Sequence, residues 1–290
     1  KVKKLTKKLS SVTTKFSNNL NEVKTFFKIK KKNLDGLPDS WFSTSKLINK
    51  NKNDNESIYK VTLKYPDYQP VMKYCNNEST RKKLYISFNN RCKKENLHLF
   101  KEAIKLRNNI AKELGYKHHA DYKTEIKIVK NAKTAYDFIN NLNNKFTTMY
   151  EKEMKDLYSF SKKYKKNINT KDKLDKWDIN YYMTAYKNEK FNIDMKEIKD
   201  YFPLNSVKDG MFNIYQKILD LKFVKIKTDN KWHDDVELYS VLNKKNKKKI
   251  GHFYLDLFPR EGKYGHAAVF PIYSGCSTKI ITKKNTRRLP

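Results

Sequence analysis

Side chains do chemistry as a metal cage, an activated nucleophile or a paired acid and base, and the chain can be searched for each. Six histidines, His98, His118, His119, His233, His252 and His266, are the candidate metal ligands. None stands in H-x-x-x-H, the spacing that sets two imidazoles on one face of a helix around a zinc ion. His118 and His119 are adjacent, so on a helix they point roughly 100° apart and cannot converge on one ion. His252 and Asp256 share one face of an alternating run and could offer two ligands; a surface or packing role is the simpler reading. No catalytic residue and no metal ligand is assigned within these residues.

Other chemistries fare no better. Neither G-x-x-x-x-G-K-[ST] nor G-x-G-x-x-G occurs, so no phosphate cradle is expected. Cys92, in "RCKKEN", reads as a half-buried helical cysteine rather than a nucleophile. "WHDD" (Trp232–Asp235) reads as a turn before a strand rather than a carboxylate cluster. Trp177, Tyr181 and Tyr182 lie at helical spacing, which suits core packing better than a stacking platform.

One stretch survives: Phe253–Ala268, "FYLDLFPREGKYGHAA". Period-two alternation directs Phe253, Leu255 and Leu257 to a core and Tyr254 and Asp256 outward. Pro259 turns the chain, and Gly262 and Gly265 allow another backbone to come close. A strand edge lined by glycine and alanine can pair with an extended peptide. A plain edge lying beside its own protein fits the residues equally well.

The elements that must hold this stretch are mainly helical. The 290 residues suffice for one large domain or two ordinary ones, and 20 Tyr with 16 Phe supply bulky core material. The net charge of +33 suggests polyanion binding, but 58 Lys stand against 6 Arg, with 31 Asn and only 8 Ala and 7 Gly. Those excesses share A/T-rich codons, and Arg, the better bidentate ligand for phosphate, is the scarce cation. Genomic bias therefore explains the charge more simply than nucleic-acid binding. Three widely spaced cysteines, Cys75, Cys92 and Cys276, without C-x-x-C, suit a reducing compartment and no disulfide framework. No apolar run is long enough for a transmembrane helix. The first residues, "KVKKLTKKLS", lack an initiator Met and an apolar leader and read as an entry into the middle of something.

Along the chain, Lys1–Leu34 is basic and weakly amphipathic, and "NLDGLPDSWF" (Asn33–Phe42) is a turn feeding a short helix. Asn49–Glu56 is a polar loop and Ile58–Tyr65 a strand stopped by Pro66. Leu99, Ala103, Leu106, Ile110 and Leu114 mark a helix capped by Gly115. A second helix is expected to start at Thr134, with Asp137 as capping-box partner, and to run to about Tyr164. Its apolar stripe is Ala135, Phe138, Leu142, Phe146 and Met149. Lys176–Tyr186 is a third helix. Ser206 with Asp209 opens a fourth, whose stripe is Val207, Met211, Ile214, Ile218 and Leu221. Val236–Leu242 and Lys249–Phe258 then form a hairpin, which must join a sheet or pack on helices to be stable.

These motifs together resemble the thimet oligopeptidase and neurolysin family of zinc metallopeptidases. "LDGLPDSWF", "VTLKYPDYQPVMKYC", "TRKKLYISFNNRCKKEN", "LGYKHHADY", "WDINYYM", "YFPLNSV", "WHDDVELY" and "FYLDLFPREGKYGHAA" follow in the family's order, from about Phe16 to Phe270. The resemblance implies a mainly α, two-lobed helical oligopeptidase fold with a small β-hairpin or sheet near the C-terminus. By it, residues 1–70 belong to the N-terminal helical lobe and 71–290 to the first half of the catalytic domain, ending before the zinc helix. The family holds zinc with an H-E-x-x-H helix and a Glu on the next helix; the metal polarises the scissile carbonyl and acidifies its water, the Glu of the motif takes the proton, and downstream Tyr and His donors steady the oxyanion. That motif is absent from these 290 residues, so zinc, the implied cofactor, has its ligands elsewhere.

The resemblance also implies that Gly265, His266, Ala267 and Ala268 face the channel and bind substrate backbone. The expectation is thus a central part of a cytoplasmic zinc metalloendopeptidase that cleaves short peptides, inactive when isolated and a candidate for a companion chain carrying the zinc helix. The alternative is a non-catalytic basic module, binding nucleic acid or peptide on the same scaffold.

Overall fold

The computed structural model describes residues 1–43, 46–164, 173–265 and 267–273. It is mainly helical, with two small antiparallel sheets.

Helix α1 (Val2–Asn21) leads into strand β1 (Phe26–Lys30), a 3-10 turn, and the short helix α2 (Asp39–Phe42). Strands β2 (Leu47–Asn49) and β3 (Ile58–Thr62) complete a sheet of order β1-β3-β2, with Phe27 opposite Val61 and Ile29 opposite Tyr59. Pro66 does stop β3, but it does so by opening helix α3 (Tyr65–Tyr74), where a missing N–H costs nothing. Helix α4 (Glu78–Asn89) follows, its first turn capped by the Asn77 side chain, which accepts from the Thr80 N–H at 2.9 Å. The buried faces meet in one core that includes Ile29, Leu34, Trp41, Val61, Val71, Met72, Cys75 and Leu84. Gly36 sits under this core at φ +90°, and a Cβ there would lie 2.2 Å from the Tyr74 carbonyl oxygen.

Helix α5 (Lys93–Glu113) packs along α1, because Leu5, Leu9, Val12 and Phe16 repeat at helical spacing and meet Leu99, Ala103 and Leu106. Asn96 pins the pair, donating to the Phe16 carbonyl at 3.1 Å and accepting from Asn19 at 2.7 Å. The expected cap is present: Gly115 N–H reaches the Lys112 carbonyl and Tyr116 N–H the Ala111 carbonyl, a Schellman ending. Cys92 is not helical. It is the left-handed residue (φ 56°) just before α5, and its thiol donates to the Asn19 carbonyl.

Helix α6 (His119–Thr124) precedes α7 (Ala132–Tyr164), which ends where expected but begins earlier. Asn131, not Thr134, is the cap: its Oδ1 accepts from the Thr134 N–H at 2.8 Å, and Asp121 takes the Ala132 N–H at 3.0 Å. The far end of α7 meets helix α8 (Ile179–Phe191) through Leu157, Tyr181 and Tyr182, so those tyrosines are core. Beneath them the Arg81 guanidinium, 1% exposed, donates to Asp178 and to the Cys75 carbonyl and lies 4.3 Å from the Tyr181 ring centre.

Helices α9 (Met195–Asp200) and α10 (Leu204–Ile218) lead to the second sheet. Its strands β4 (Leu221–Ile226), β5 (Glu237–Asn243) and β6 (Lys249–Leu255) lie in that order, which gives the expected hairpin a third strand. Leu221 therefore belongs to β4 and not to a helical stripe; Asp220, at φ 51°, ends the helical run. Helix α10 starts at Leu204 after Pro203, two residues ahead of the expected Ser206. It rests on the sheet through Phe212, whose ring sits 5.0 to 6.1 Å from those of Phe223, Tyr239 and Phe253. The predicted stripe Val207, Met211, Ile214 and Ile218 faces away and is exposed, as are Phe138, Phe146 and Met149 of α7. Among the described residues no helix is long and apolar enough to cross a membrane.

Candidate functional site

Strand β6 is an edge strand, with β5 on one side only. It ends at Leu255, ten residues before Gly265, so the candidate lip is not a continuation of the strand. Asp256 is the reason. Its carboxylate was expected to face out, yet the side chain is 17% exposed and accepts from Arg260, Trp232 and Lys263. Arg260 donates to both oxygens, at 2.8 Å each. Trp232 Nε1 donates to Oδ2 at 3.0 Å, and Lys263 Nζ to Oδ1 at 3.0 Å. The Lys263 ammonium also reaches the Asp256 carbonyl at 2.9 Å and the Phe258 carbonyl at 2.6 Å. These hydrogen bonds, Arg260's above all, hold the Asp256 carboxyl far below the ordinary carboxylate range despite its partial burial.

The turn so closed carries Leu257 and Phe258 outward, and both are exposed. The inward alternation predicted from Phe253 thus ends at Leu255, two residues before Leu257. Pro259 cannot donate to a ladder, and Gly262 takes φ +74°, a conformation that a side chain disfavours. Lys24 reaches Glu261 at 3.6 Å and ties the turn to the segment after α1.

Gly265 then comes up against Tyr65 at the start of α3: a Cβ placed on it would lie 3.7 Å from the tyrosine ring. That ring is backed by Phe88, which is stacked on Tyr68 at 4.0 Å and covered by the Arg91 guanidinium at 3.8 Å. His266 lies outside the described residues. Ala267 and Ala268 follow, exposed and in backbone that belongs to no strand, and Phe270 turns its ring back onto Tyr264 at 5.7 Å. Gly265, Ala267 and Ala268 are thus all exposed, and Gly265 follows the Asp256 turn and lies against Tyr65.

The described residues do not suit zinc. His252 is exposed opposite Ser240, and the Asp256 carboxylate, four residues further along the chain, already faces Arg260 and Lys263. His118 is paired with Asp121, and His233 accepts from the Asp235 N–H within a turn, as expected of "WHDD". Burial pushes the His119 imidazole below its usual pKa. The one described group of three potential ligands is Glu78, Asp175 and Asp178, all carboxylates, and the Arg81 guanidinium already occupies Asp178. A cation there would meet a fixed positive charge and find no imidazole.

The supporting residues Asp256, Arg260, Lys263, Trp232 and Tyr65 were not singled out as a group from the sequence. The Asp256–Arg260–Lys263 spacing was a usable signal for a self-closed turn. Trp232 and Tyr65 lie 24 and 200 positions from their partners, and only the fold brings them there.

Comparison with known proteins gives this geometry its setting. The family described as peptidase family M3 matches residues 71–290. Saccharolysin of Saccharomyces cerevisiae is 37% identical over 298 residues, covering 100% of this chain and 41% of its own. The thimet-like oligopeptidase of Dictyostelium discoideum is 34% identical over 281 residues, covering 95% and 41%. Oligopeptidase A of Escherichia coli is 29% identical over 271 residues, covering 90% and 39%. The chain thus spans about two fifths of the length of these relatives. On the match over 71–290 and the likeness to saccharolysin, this chain belongs to peptidase family M3.

Proposed function

We propose that these residues form the non-metal wall of a zinc-dependent oligopeptidase acting on short peptides, with Gly265, His266, Ala267 and Ala268 contacting substrate backbone. The observation that carries this reading is the exposed glycine–alanine lip held by the Asp256 turn, inside the segment that matches the family. Small side chains leave room for a second backbone, which an extended peptide can supply. Residues 1–70 serve as part of a helical lobe and 71–290 as the beginning of a catalytic domain. Zinc, the general base and the oxyanion donors come from polypeptide other than these 290 residues, in the same protein or a companion chain. That polypeptide also covers the apolar faces of α7 and α10. Three widely spaced cysteines without a C-x-x-C pair suit a reducing, cytoplasmic setting.

The test is zinc analysis together with a quenched-fluorescent peptide assay on the 290-residue chain. Zinc below stoichiometry and no turnover are expected. Stoichiometric zinc with turnover would overturn the reading.

The +33 charge favours one other reading, a basic module that binds nucleic acid without catalysis. Filter binding across a salt series separates the two, since phosphate-driven affinity falls steeply with salt. Weak binding, lost at physiological salt, is expected; specific binding that persists above it would favour the module.

A further inference from the structure

We infer that Asp256 is a positioning residue, whose cage of donors fixes where the backbone enters Gly265, the first residue of the lip, against a bound peptide; this rests on the reading of that lip as substrate-facing. Three observations carry it. The donors come from both sides of the lip's anchor: Trp232 from the turn before β5, and Arg260 and Lys263 from the turn after β6. Lys263 is two residues from Gly265 and makes three bonds, to Asp256 Oδ1, the Asp256 carbonyl and the Phe258 carbonyl, so the backbone entering the lip has little freedom left. Gly265 itself lies against the Tyr65 ring, a hypothetical Cβ there being 3.7 Å from it. Charge thus fixes the turn that leads into Gly265, and an aromatic ring bounds Gly265 itself.

The chemistry also explains why the anchor is a carboxylate. Charge-assisted hydrogen bonds are about twice as strong as neutral ones, and an Arg fork adds direction as well as energy. Asparagine at 256 would keep one acceptor for Arg260 but would set its own N–H groups against Trp232 or Lys263. The hub would then be half satisfied, which is worse than having none.

The test uses the 290-residue chain and two measurements. Hydrogen exchange by mass spectrometry reads the order of residues 257–265. Fluorescence polarisation reads the affinity for a short, end-capped, fluorescein-labelled peptide of alternating alanine and phenylalanine. In Asp256→Asn, exchange across 257–265 should quicken and peptide affinity should fall, each about tenfold, the equivalent of one charge-assisted bond. Exchange in β5 should be unchanged, and Asp256→Glu should recover most of both losses. Lys263→Met, which keeps the aliphatic stem, provides a second route should Asp256→Asn not fold.

Unchanged exchange at 257–265 in both variants would show that the cage does not hold the turn, and overturns the inference. Faster exchange with unchanged affinity overturns it too, while leaving the lip as a peptide contact. Ala268→Pro, which removes a lip N–H, tests the underlying reading by itself. Undiminished affinity in that variant, or no measurable affinity in the unaltered chain, removes the lip as a substrate contact and the positioning role with it.

Discussion

The Arg81 guanidinium places two of its nitrogens on a single oxygen of Asp178, 97 positions away in sequence, and both side chains are buried. The pair ties α4 to the start of α8 and lies under Tyr181. Removing one partner strands the other charge, which typically costs about 3–5 kcal/mol. Asp178→Ala is therefore expected to lower unfolding stability by about that amount, measured as a shift in urea midpoint. A loss under about 1 kcal/mol would mean that water reaches the guanidinium.

Glu237 gives a pH signature. Hydrogen bonds from Lys225 first, then Tyr239 and Lys208, hold its carboxyl down to about 2 from an ordinary 4.5. A depressed folded pKa means stability that is present above the unfolded pKa and lost as pH falls toward the folded one. Glu237→Gln should therefore be less stable than the unaltered chain at pH 7, with the gap closing between pH 4.5 and 2. A gap that stays constant across that window would show that the network does not discriminate between the ionised and neutral acid.

Two glycines make opposite predictions. At Gly36 a Cβ would collide with the Tyr74 carbonyl and φ is positive, so Gly36→Ala should destabilise by about 1–3 kcal/mol or more. Gly210, inside α10 with nothing within 4 Å of a built Cβ, should gain about 0.4–1 kcal/mol as alanine. Thermal melts of the two variants side by side decide both.

The exposed stripes of α7 and α10 predict self-association. Large contiguous apolar patches on a free surface mark interaction sites or aggregation hazards. Replacing Phe138, Phe146, Ile214 and Ile218 with glutamate should reduce light scattering of the concentrated chain without lowering its melting temperature. A drop in melting temperature would place these side chains in a packed interior instead.

How much of this was legible in the sequence depends on whether the deciding contact was local. The α5 stripe, the Gly115 ending and the β5–β6 hairpin were readable, because each is set by residues within one or two turns of chain. Strand β1 was read only as part of a basic stretch: its "FFKIK" becomes a strand by pairing with β3, some thirty positions on. Strand β4 was missed, its first residue taken as the last of a helical stripe, since Leu221 continues the spacing of Ile214 and Ile218. The stripes of α7 and α10 were read correctly as apolar, but periodicity says only that a face wants a partner, not where the partner is. At the lip the small residues were legible. Their support was not, because Tyr65 reaches Gly265 across most of the chain.

The wiring of Asp256 also sets an order of assembly. Its bonds to Arg260 and Lys263 close over a few residues, whereas the bond from Trp232 waits until β5 and β6 have paired. Local closures form early and distant ones late, so the turn can fold as a free-standing knot before it is fastened to the sheet. On refolding with pulsed exchange labelling, Lys263, whose N–H bonds the Arg260 carbonyl inside the turn, should gain protection before Tyr239 and Phe253 of the sheet.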